Sequence, residues 1–375
     1  MKIKDIKISE FEIKDNTPYF KLRKIDNSWE KYDLRSSVGY VHVMHVITDD
    51  GLEGICTVGD ARYTTITVNA LAHLKHLTVG EDPTKKEYLF DMLTKATRMV
   101  FMPPGWFGGF DNCLWDIEGQ IKSKSVAALI SDSNDQVTAY YNYRGADLNA
   151  LIDDANVGIE KGFTVLKDHF AWNAAQNINS FESVKGVVGE DITLLHDAAA
   201  CSYTLHEALE VAKQLSQLKF GWFEEPLNDR ELGSLKTLCS QSEVPILALE
   251  TLMNDFVLMR EWVREDAVNI VRGNARHGTT GIVRIAEDLA RKGMKIELNG
   301  PGGLFGHVHA QLAVGINNTS YYEYFPDGSR DSIGKEIGLL NPPVPEKGKI
   351  KLTERPGWGY EIDWKYFNKK RVRVF

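Results

Sequence analysis

The feature that most constrains the fold is a regular alternation of short apolar runs and amphipathic stretches, which begins near residue 136. Amphipathic stretches such as 205–218 and 282–292 show the 3.6-residue period of helices. Strands that alternate with helices over roughly 190 residues are typical of a parallel (β/α)8-type barrel. The eight strand candidates are residues 137–143, 164–169, 192–196, 220–224, 246–250, 268–271, 295–298 and 320–324.

A doubly wound parallel sheet is the alternative architecture for the same alternation. Such a sheet normally carries a glycine-rich, phosphate-binding turn after its first strand. The residues at that point of this sequence are Tyr143, Arg144, Gly145 and Ala146, which do not form the motif. The sequence therefore favours the barrel.

The residues before the barrel region indicate a separate α+β domain. Residues 3–13 and 40–48 alternate apolar and polar side chains with the two-residue period of strands. Asp49, Asp50 and Gly51 then predict a hairpin turn. Helical patterns follow at about residues 63–78, 84–98 and 109–130.

These patterns predict an α/β protein of three parts. An α+β capping domain spans residues 1–130, and a barrel domain spans residues 131–345. The C-terminal segment, residues 346–375, has an extended pattern, and we expect it to return to the capping domain.

The charge and cysteine content limit the partners and the compartment. The formal net charge of −8 disfavours nucleic acid, which needs a cationic surface. No apolar run approaches the ~20 residues that span a bilayer, and the first residues alternate like a strand rather than a signal peptide. The four cysteines are far apart and form no C-x-x-C pair, as expected of reduced thiols. We therefore expect a cytoplasmic protein with no nucleic-acid or membrane partner. We also expect a homo-oligomer, although neither charge nor cysteine content indicates one.

Three acidic residues follow successive candidate strands at matching positions. Asp197, Glu224 and Glu250 are separated by 27 and 26 residues, about one strand–helix unit each. The C-terminal ends of barrel strands lie on one rim, so the three carboxylates would meet there and repel one another. A hard divalent cation would remove this repulsion, and an all-oxygen ligand set suits Mg²⁺. The alternative is that each acid only stabilises the start of a helix; the matched spacing favours the metal site.

One strand earlier, two possible bases occupy alternate positions. Strand geometry places Lys167 and His169 on one face and Asp168 on the other. If the first face points into the barrel, the two bases lie beside the predicted metal and can transfer a proton at a neighbouring carbon. The alternative is a surface lysine and a core histidine.

Further motifs lie at other points along the chain. Residues 114–120 (LWDIEGQ) precede the barrel, residues 224–226 (EEP) end the fourth strand, and residues 321–324 (YYEY) form the eighth. Together with Lys167-x-His169 and the three acids, this order resembles the mandelate racemase-type branch of the enolase superfamily over most of the chain.

The resemblance implies a modified (β/α)7β TIM barrel under an α+β capping domain that the C-terminus completes. It also implies one Mg²⁺ per subunit and removal of the proton next to a substrate carboxylate, which gives an enediolate. Glu323 matches a prominent glutamate of the relatives, for which we expect substrate orientation or proton delivery. The candidate catalytic residues are therefore Lys167, His169 and Glu323, with Asp197, Glu224 and Glu250 as candidate metal ligands.

The sequence also departs from the family pattern. Relatives that work on both faces of the substrate carry an Asp after strand six and a His after strand seven; here Asn274 occupies the first position and Asn299 or Gly303 the second. His277, His307 and His309 lie nearby in the sequence. Each is either a replacement base or a histidine with no catalytic role.

Substrate selection is expected from capping-domain segments and from cations near the rim. Residues 21–24 and 102–109 are candidate segments, and within the latter Trp106 either covers the site or packs in the core. Our substrate-binding candidates are Asn299, His277, Arg276 and Trp106, and further cations that suit a distal carboxylate or hydroxyls are Arg35, Arg62 and Arg144.

The loss of both partners on one face favours a reaction that needs one face only. Our leading hypothesis is a lyase that dehydrates a sugar acid, an aldonate or aldarate, to a 2-keto-3-deoxy acid. A cycloisomerase of an anhydro sugar acid or lactone is the second hypothesis, and an epimerase or racemase is the third. An inactive metal-binding scaffold is the alternative from another class, since fold alone does not define function.

Overall fold

The computed structural model describes most of the chain. The described residues are 1–13, 19–25, 28–35, 38–58, 65–131, 135–169, 172–198, 201, 203–300, 302, 304–326 and 331–375.

The N-terminal part is an antiparallel sheet with helices packed against it. Alternating apolar residues of the first strand, such as Ile6 and Ile8, are fully buried. A two-stranded hairpin between the first and fourth strands was not predicted. The strands are β1 (Ile3–Ile13), β2 (Tyr19–Ile25), β3 (Ser28–Arg35), β4 (Gly39–Thr48) and β5 (Glu53–Thr57); within the described residues, β2 and β3 form a sheet of their own.

Four helices complete this part, where three were predicted. The predicted helix 109–130 is interrupted because Ser123 adopts a left-handed conformation with φ of 51° and Ser125 caps a new helix. The helices are α1 (Val68–Thr78), α2 (Lys86–Met99), α3 (Gly108–Lys122) and α4 (Val126–Ile130).

Eight parallel strands form the second sheet, which is nearly closed. β12 and the segment before β13 meet through the Ile296 N–H, which donates to the Asn318 carbonyl at 3.1 Å. The strands are β6 (Gln136–Asn142), β7 (Val165–Asp168), β8 (Thr193–Asp197), β9 (Phe223–Glu224), β10 (Ile246–Ala248), β11 (Ile270–Gly273), β12 (Lys295–Leu298) and β13 (Tyr321–Tyr324).

A helix lies in each of the seven connections, which confirms the (β/α)7β barrel. Capping boxes at Asn173 and Thr204 satisfy the first N–H groups of two of them. The helices are α5 (Leu148–Glu160), α6 (Ala174–Val188), α7 (Leu205–Gln217), α8 (Leu232–Gln241), α9 (Phe256–Arg264), α10 (Thr279–Ala290) and α11 (Leu304–Gly315).

The remaining elements connect the two sheets. They are α12 (Asp331–Glu336), β14 (Lys349–Lys351), α13 (Trp364–Lys370) and β15 (Arg373–Val374). β14 pairs with β6 of the barrel, whereas β15 pairs with β1. Phe367 of α13 packs edge-on against Phe11, with ring centroids 4.7 Å apart. In the described part of the chain, no helix is both long and apolar enough to span a membrane.

The interface between α3 and the barrel is polar and fully buried. Asp111 accepts hydrogen bonds from the backbone and hydroxyl of Thr280 at 2.8 and 2.7 Å, and Asn112 accepts from Thr279. Both threonines begin α10, so α3 satisfies the free N–H groups of a barrel helix. These contacts fix the capping domain against the strands that carry the site.

The barrel interior consists of layers of inward-facing side chains. A hydrophobic cluster fills its N-terminal half, and we call it the plug: Tyr140, Val165, Leu195, Trp222, Leu247 and Ile270, with Tyr321 packed against it. Because side chains alternate along each strand, inward residues two positions further on form the next layer, except after β10, where Glu250 follows Leu247 by three positions.

Candidate active site

The layer above the plug is polar at every strand. Each strand end contributes one carboxylate, amide or cation to it, and these residues are largely buried. In chain order they are Asn142, Lys167, Asp197, Glu224, Glu250, Arg272, Asn299 and Glu323. The structure thus brings together all three candidate metal ligands, the candidate catalytic residues Lys167 and Glu323, and Asn299.

Lys167 lies at the centre of this layer as a charged donor. Its Nζ is 3.0 Å from Asp197, 2.9 Å from Glu224 and 2.8 Å from Glu323. Burial alone would lower the pKa of Lys167, but the carboxylates of Glu323 and Asp197 raise it above its ordinary value. Lys167 is therefore held as an ammonium by three acids.

His169 has a different environment, although it comes from the same strand end. Its side chain is 39% exposed, and its Nε2 lies 3.1 Å from Asp197 Oδ2. Asp168 points the other way, as strand alternation predicts, and contacts His196 on the outside of the barrel. His169 therefore combines solvent access with a position beside the buried acids.

Arg272 is a second buried cation in the layer, and the sequence analysis missed it. Its guanidinium donates to Glu224, and its Nε lies 3.7 Å from Glu250. Burial opposes its charge, whereas Tyr140 and Glu323 favour it, so the pKa of Arg272 is raised. The signal was an arginine at an inward position of an otherwise apolar strand, Ile270–Gly273.

The chemistry of the three acids fits a hard divalent cation. Among the residues that the structure describes, no three metal-binding side chains form a ready cluster, and Lys167 and Arg272 contact the acids. The four acids of the layer, Asp197, Glu224, Glu250 and Glu323, nevertheless outnumber these two cations. Burial, to which Glu250 and Asp197 add negative charge, raises the pKa of neighbouring Glu225 to about 9. Excess negative charge with oxygen donors alone suits Mg²⁺.

Glu323 is fixed by contacts from three directions. Besides its ion pair with Lys167, it accepts hydrogen bonds from the Gly300 N–H and from Asn142 Nδ2, the latter at 3.4 Å. Its carboxylate therefore belongs to the same charged layer as the predicted metal ligands.

The positions of the missing Asp and His hold a pair of amides. Asn274 Nδ2 donates to Asn299 Oδ1 at 2.5 Å, and Asn299 Nδ2 donates to Glu250 Oε1 at 3.2 Å. Neither amide has useful basicity near neutral pH. Asn299 thus supports Glu250, while Gly303, the other candidate for the His position, lies outside the described residues.

The three nearby histidines are buried and engaged elsewhere. His309 donates through Nδ1 to the Asn299 carbonyl and accepts from the Ala275 N–H at 3.0 Å, and burial lowers its pKa to about 3. His307 donates to the Asn341 carbonyl at 2.6 Å, and burial lowers its pKa to about 4. Burial and Arg276 lower the pKa of His277 well below its ordinary value. None of the three offers an accessible base.

His277 and Arg276 contact each other at the edge of the capping domain. Arg276 Nε donates to His277 Nε2 at 2.9 Å. A Cβ on Gly105 would lie 2.5 Å from His277 Nδ1, so only glycine permits this close approach of the capping loop. Both residues therefore help to seat the loop 102–109.

The remaining candidates for substrate binding have other contacts, are exposed, or lie outside the described residues. Trp106 donates to Thr97 of α2 at 3.0 Å and packs edge-on against Phe107. These contacts favour a packing role for Trp106 over a role as a cover of the site. Arg35 pairs with Asp33 within the β2–β3 hairpin, and Arg144 is exposed after β6. Arg62 lies outside the described residues.

Comparison with known proteins identifies the family. Residues 150–366 match the family described as enolase C-terminal domain-like, and residues 33–131 match the mandelate racemase/muconate lactonizing enzyme N-terminal domain. The chain belongs to the mandelate racemase-like branch of the enolase superfamily. This confirms the resemblance stated from the sequence motifs.

Relatives within the superfamily span both domains. The arabinonate dehydratase of Saccharolobus solfataricus is 29% identical over 345 residues, which cover 86% of this chain and 89% of the relative. D-glucarate dehydratase from Agrobacterium tumefaciens, solved with magnesium, superposes with a TM-score of 0.83 at 22% identity over 100% of both chains. The 3,6-anhydro-D-galactonate cycloisomerase from Zobellia galactanivorans gives 0.75 at 20% identity, again over 100% of both chains.

Proposed function

We propose that this enolase-superfamily enzyme is a Mg²⁺-dependent dehydratase of a sugar acid, an aldonate or aldarate, which it converts to a 2-keto-3-deoxy acid. The observation that carries the proposal is the asymmetry of the barrel mouth. One side presents the exposed imidazole of His169, and the other presents the amides of Asn274 and Asn299.

This asymmetry favours elimination over racemisation. A racemase needs an acid or base on each face of the enediolate, and an amide can neither take nor give the required proton. An elimination needs one group, which takes the α-proton and then protonates the leaving hydroxyl on the same side. The names of the dehydratase relatives support the same reaction class.

In this reaction His169 removes the proton from C2 of the substrate, because it is the accessible base beside the layer. The C2–H electron pair first moves toward the carboxylate and gives an enediolate. The enediolate then forms the C2–C3 double bond as the C3 hydroxyl departs as water with the proton that His169 took from C2, and the resulting enol becomes the 2-keto-3-deoxy acid. Glu323 fixes the Lys167 ammonium, which supplies positive charge near the substrate carboxylate.

Asp197, Glu224 and Glu250 would hold the Mg²⁺ ion. When bound, the ion would neutralise the charge that develops on the substrate carboxylate. The magnesium in the related D-glucarate dehydratase structure supports this assignment, as does the oxygen-only donor set described above.

A cycloisomerase that opens a 3,6-anhydro sugar acid is the second candidate. The same one-sided arrangement serves it, because a ring ether replaces the hydroxyl as the leaving group. The cycloisomerase neighbour has this fold, but its 20% identity defines the fold alone.

A substrate screen in D2O tests the proposal. The enzyme with Mg²⁺ is incubated with aldonic, aldaric and anhydro-aldonic acids, and products are analysed by NMR. We expect a 2-keto-3-deoxy acid with deuterium incorporated stereospecifically at C3, and loss of turnover after chelation. Recovery of a C2-epimerised acid would contradict the one-sided mechanism.

A further inference from the structure

The backbone immediately before Glu250 adopts a conformation that its residue type disfavours. Leu249 has φ of 84° and ψ of 21°, in the left-handed region, and its side chain is fully buried. A residue with a Cβ adopts this region only at a steric cost, which surrounding contacts must offset. The turn interrupts the strand alternation after Ala248 and so determines where the Glu250 carboxylate points.

Asp229 brackets this turn with three hydrogen bonds. Its Oδ1 accepts from the Leu249 N–H at 2.7 Å, and its Oδ2 accepts from the Thr251 N–H at 2.8 Å and the Thr251 hydroxyl at 2.7 Å. The two N–H groups belong to the residues on either side of Glu250. Asp229 is itself buried in the loop that follows β9, the strand that ends at Glu224.

The negative charge around Asp229 disfavours a carboxylate there unless the carboxylate has a role. Asp229 lies in the same acidic region as Glu225, Glu250 and Asp197, and like charges at short range destabilise one another. The hydrogen bonds from Leu249 and Thr251, however, need an acceptor at both ends of one planar group. A carboxylate provides this, whereas an amide of the same shape presents a donor at one end.

We propose that Asp229 is the positioning residue for Glu250: it holds Leu249 in the left-handed conformation and thereby directs the Glu250 carboxylate to the polar layer. Within that layer, Asn299 donates to Glu250 at 3.2 Å. Asp229 touches no substrate atom and acts through the backbone on either side of Glu250. The inference rests on the proposed metal role of Glu250.

Calorimetric titration of the metal-free protein with Mg²⁺, without substrate, distinguishes the proposed metal role of Glu250 from the proposed positioning role of Asp229. Loss of a hydrogen bond that orients a ligand typically weakens metal binding about 10- to 100-fold, and we expect Asp229→Asn to raise the Kd by that factor. Glu250→Gln is the reference variant. If it binds Mg²⁺ like the wild type, the proposed metal site is wrong; if it loses affinity while Asp229→Asn does not, only the positioning role is wrong.

A matched pair at position 249 tests the conformational part of the argument. Leu249→Gly and Leu249→Ala both remove the buried side chain, but only glycine adopts a positive φ without steric cost. In the Asp229→Asn background we expect the glycine variant to recover Mg²⁺ affinity at least about fivefold relative to the alanine variant. Equal affinities of the two double variants would overturn the proposal.

Thr251→Val provides a milder test that does not depend on folding of the Asp229→Asn variant. Valine keeps the shape and the backbone N–H of Thr251 but removes the hydroxyl that donates to Asp229. Loss of one such bond predicts an increase in the Mg²⁺ Kd of about threefold to tenfold. An unchanged Kd would contradict the role of Asp229 in positioning Glu250.

Discussion

His169 and Lys167 are two residues apart in the sequence but have different surroundings. Three acids hold Lys167 as a buried ammonium, whereas the imidazole of His169 is partly exposed and contacts one acid. A base must be neutral before it takes a proton, and solvent access lets it exchange protons afterwards. These environments favour His169 as the proton-transfer group and Lys167 as the electrostatic one.

Replacing His169 by Asn should remove α-proton exchange while folding and Mg²⁺ binding persist. The variant keeps a hydrogen-bonding side chain but loses the base, so exchange in D2O should fall by about 100-fold or more. NMR of the recovered substrate measures this rate. The control is His206→Asn, since His206 is exposed on α7 and should exchange like the wild type. Normal exchange in the His169 variant would show that His169 is structural.

His309 should make stability depend on pH in the acidic range. Burial lowers its pKa in the folded protein to about 3, while in the unfolded chain it stays near 6.5. As the pH falls below about 6.5, the unfolded state binds a proton that the folded state does not, so the stability present above that pH is progressively lost toward pH 3. His309→Gln should reduce the number of protons taken up on unfolding by about one.

Urea unfolding at several pH values between 5 and 7 measures the slope of the free energy of unfolding against pH. Glutamine can still donate and accept hydrogen bonds, so the comparison isolates the titration. His206→Gln is the matched control, and its slope should equal that of the wild type. Identical slopes for the His309 variant and the wild type would contradict the assignment of a buried neutral imidazole.

Single residues show what the sequence can and cannot indicate. The placement of the acids of barrel strands three to five in one layer was predicted because each lies at the same place in its strand–helix unit, and their role as metal ligands stays a prediction. Arg272 and Asp229 were missed because their partners come from other strands, and no local pattern marks such a contact. The packing of Trp106 against α2 likewise depends on a tertiary contact that sequence does not display.

At the scale of elements, β7 and β8 are joined on their outer face by a buried contact between a carboxylate and an imidazole. Asp168 and His196 are register partners, and Asp168 Oδ1 lies 2.6 Å from His196 Nδ1. The residues on either side of this pair point inward and belong to the candidate site: Lys167 and His169 flank Asp168, and Asp197 follows His196. The outer pair therefore fixes the relative position of two strand ends that carry the chemistry.

Breaking this pair should lower kcat more than it changes KM. Asp168→Asn removes the charge but keeps the shape, and we expect kcat to fall about tenfold because small misplacements of catalytic groups are costly. Leu215→Ala is the control: it removes buried packing from α7 and should lower stability without changing kcat. Equal kcat values for the wild type and Asp168→Asn would contradict the positioning role.

Elements were predicted well where their periodicity is local. The eight barrel strands and the crossover helices follow from alternating patterns that each segment carries by itself. The β2–β3 hairpin was missed, and α3 and α4 were merged, because a single left-handed residue at Ser123 separates the two helices. Such a break depends on one backbone conformation rather than on the period of the sequence.

At the scale of the whole molecule, the two sheets are connected through both α3 and the C-terminal segment. β15 forms the outer edge of the first sheet, and its neighbour Phe375 exchanges hydrogen bonds with Ile8 at 2.8 and 3.1 Å. Val372 also donates to the Glu10 carbonyl at 2.9 Å. The capping sheet thus combines residues from the two ends of the described chain.

Removing residues 372–375 should destabilise the capping domain. Loss of the three hydrogen bonds predicts a decrease of about 2–4 kcal/mol in the free energy of unfolding. Denaturant unfolding measures this change, and Val372→Thr, which alters an exposed side chain, should stay within about 0.5 kcal/mol of the wild type. A truncated protein as stable as the wild type would show that β15 contributes nothing to the sheet.

On the ribosome, β1 emerges tens of seconds before the strand that covers its outer edge, since synthesis proceeds at about 5–20 residues per second. During that interval β4 can pair with one side of β1, but the other side presents unpaired N–H and C=O groups. An uncovered edge is a template for pairing with other nascent chains. The position of β15 in the sequence therefore fixes how long each newly made chain is exposed to mispairing.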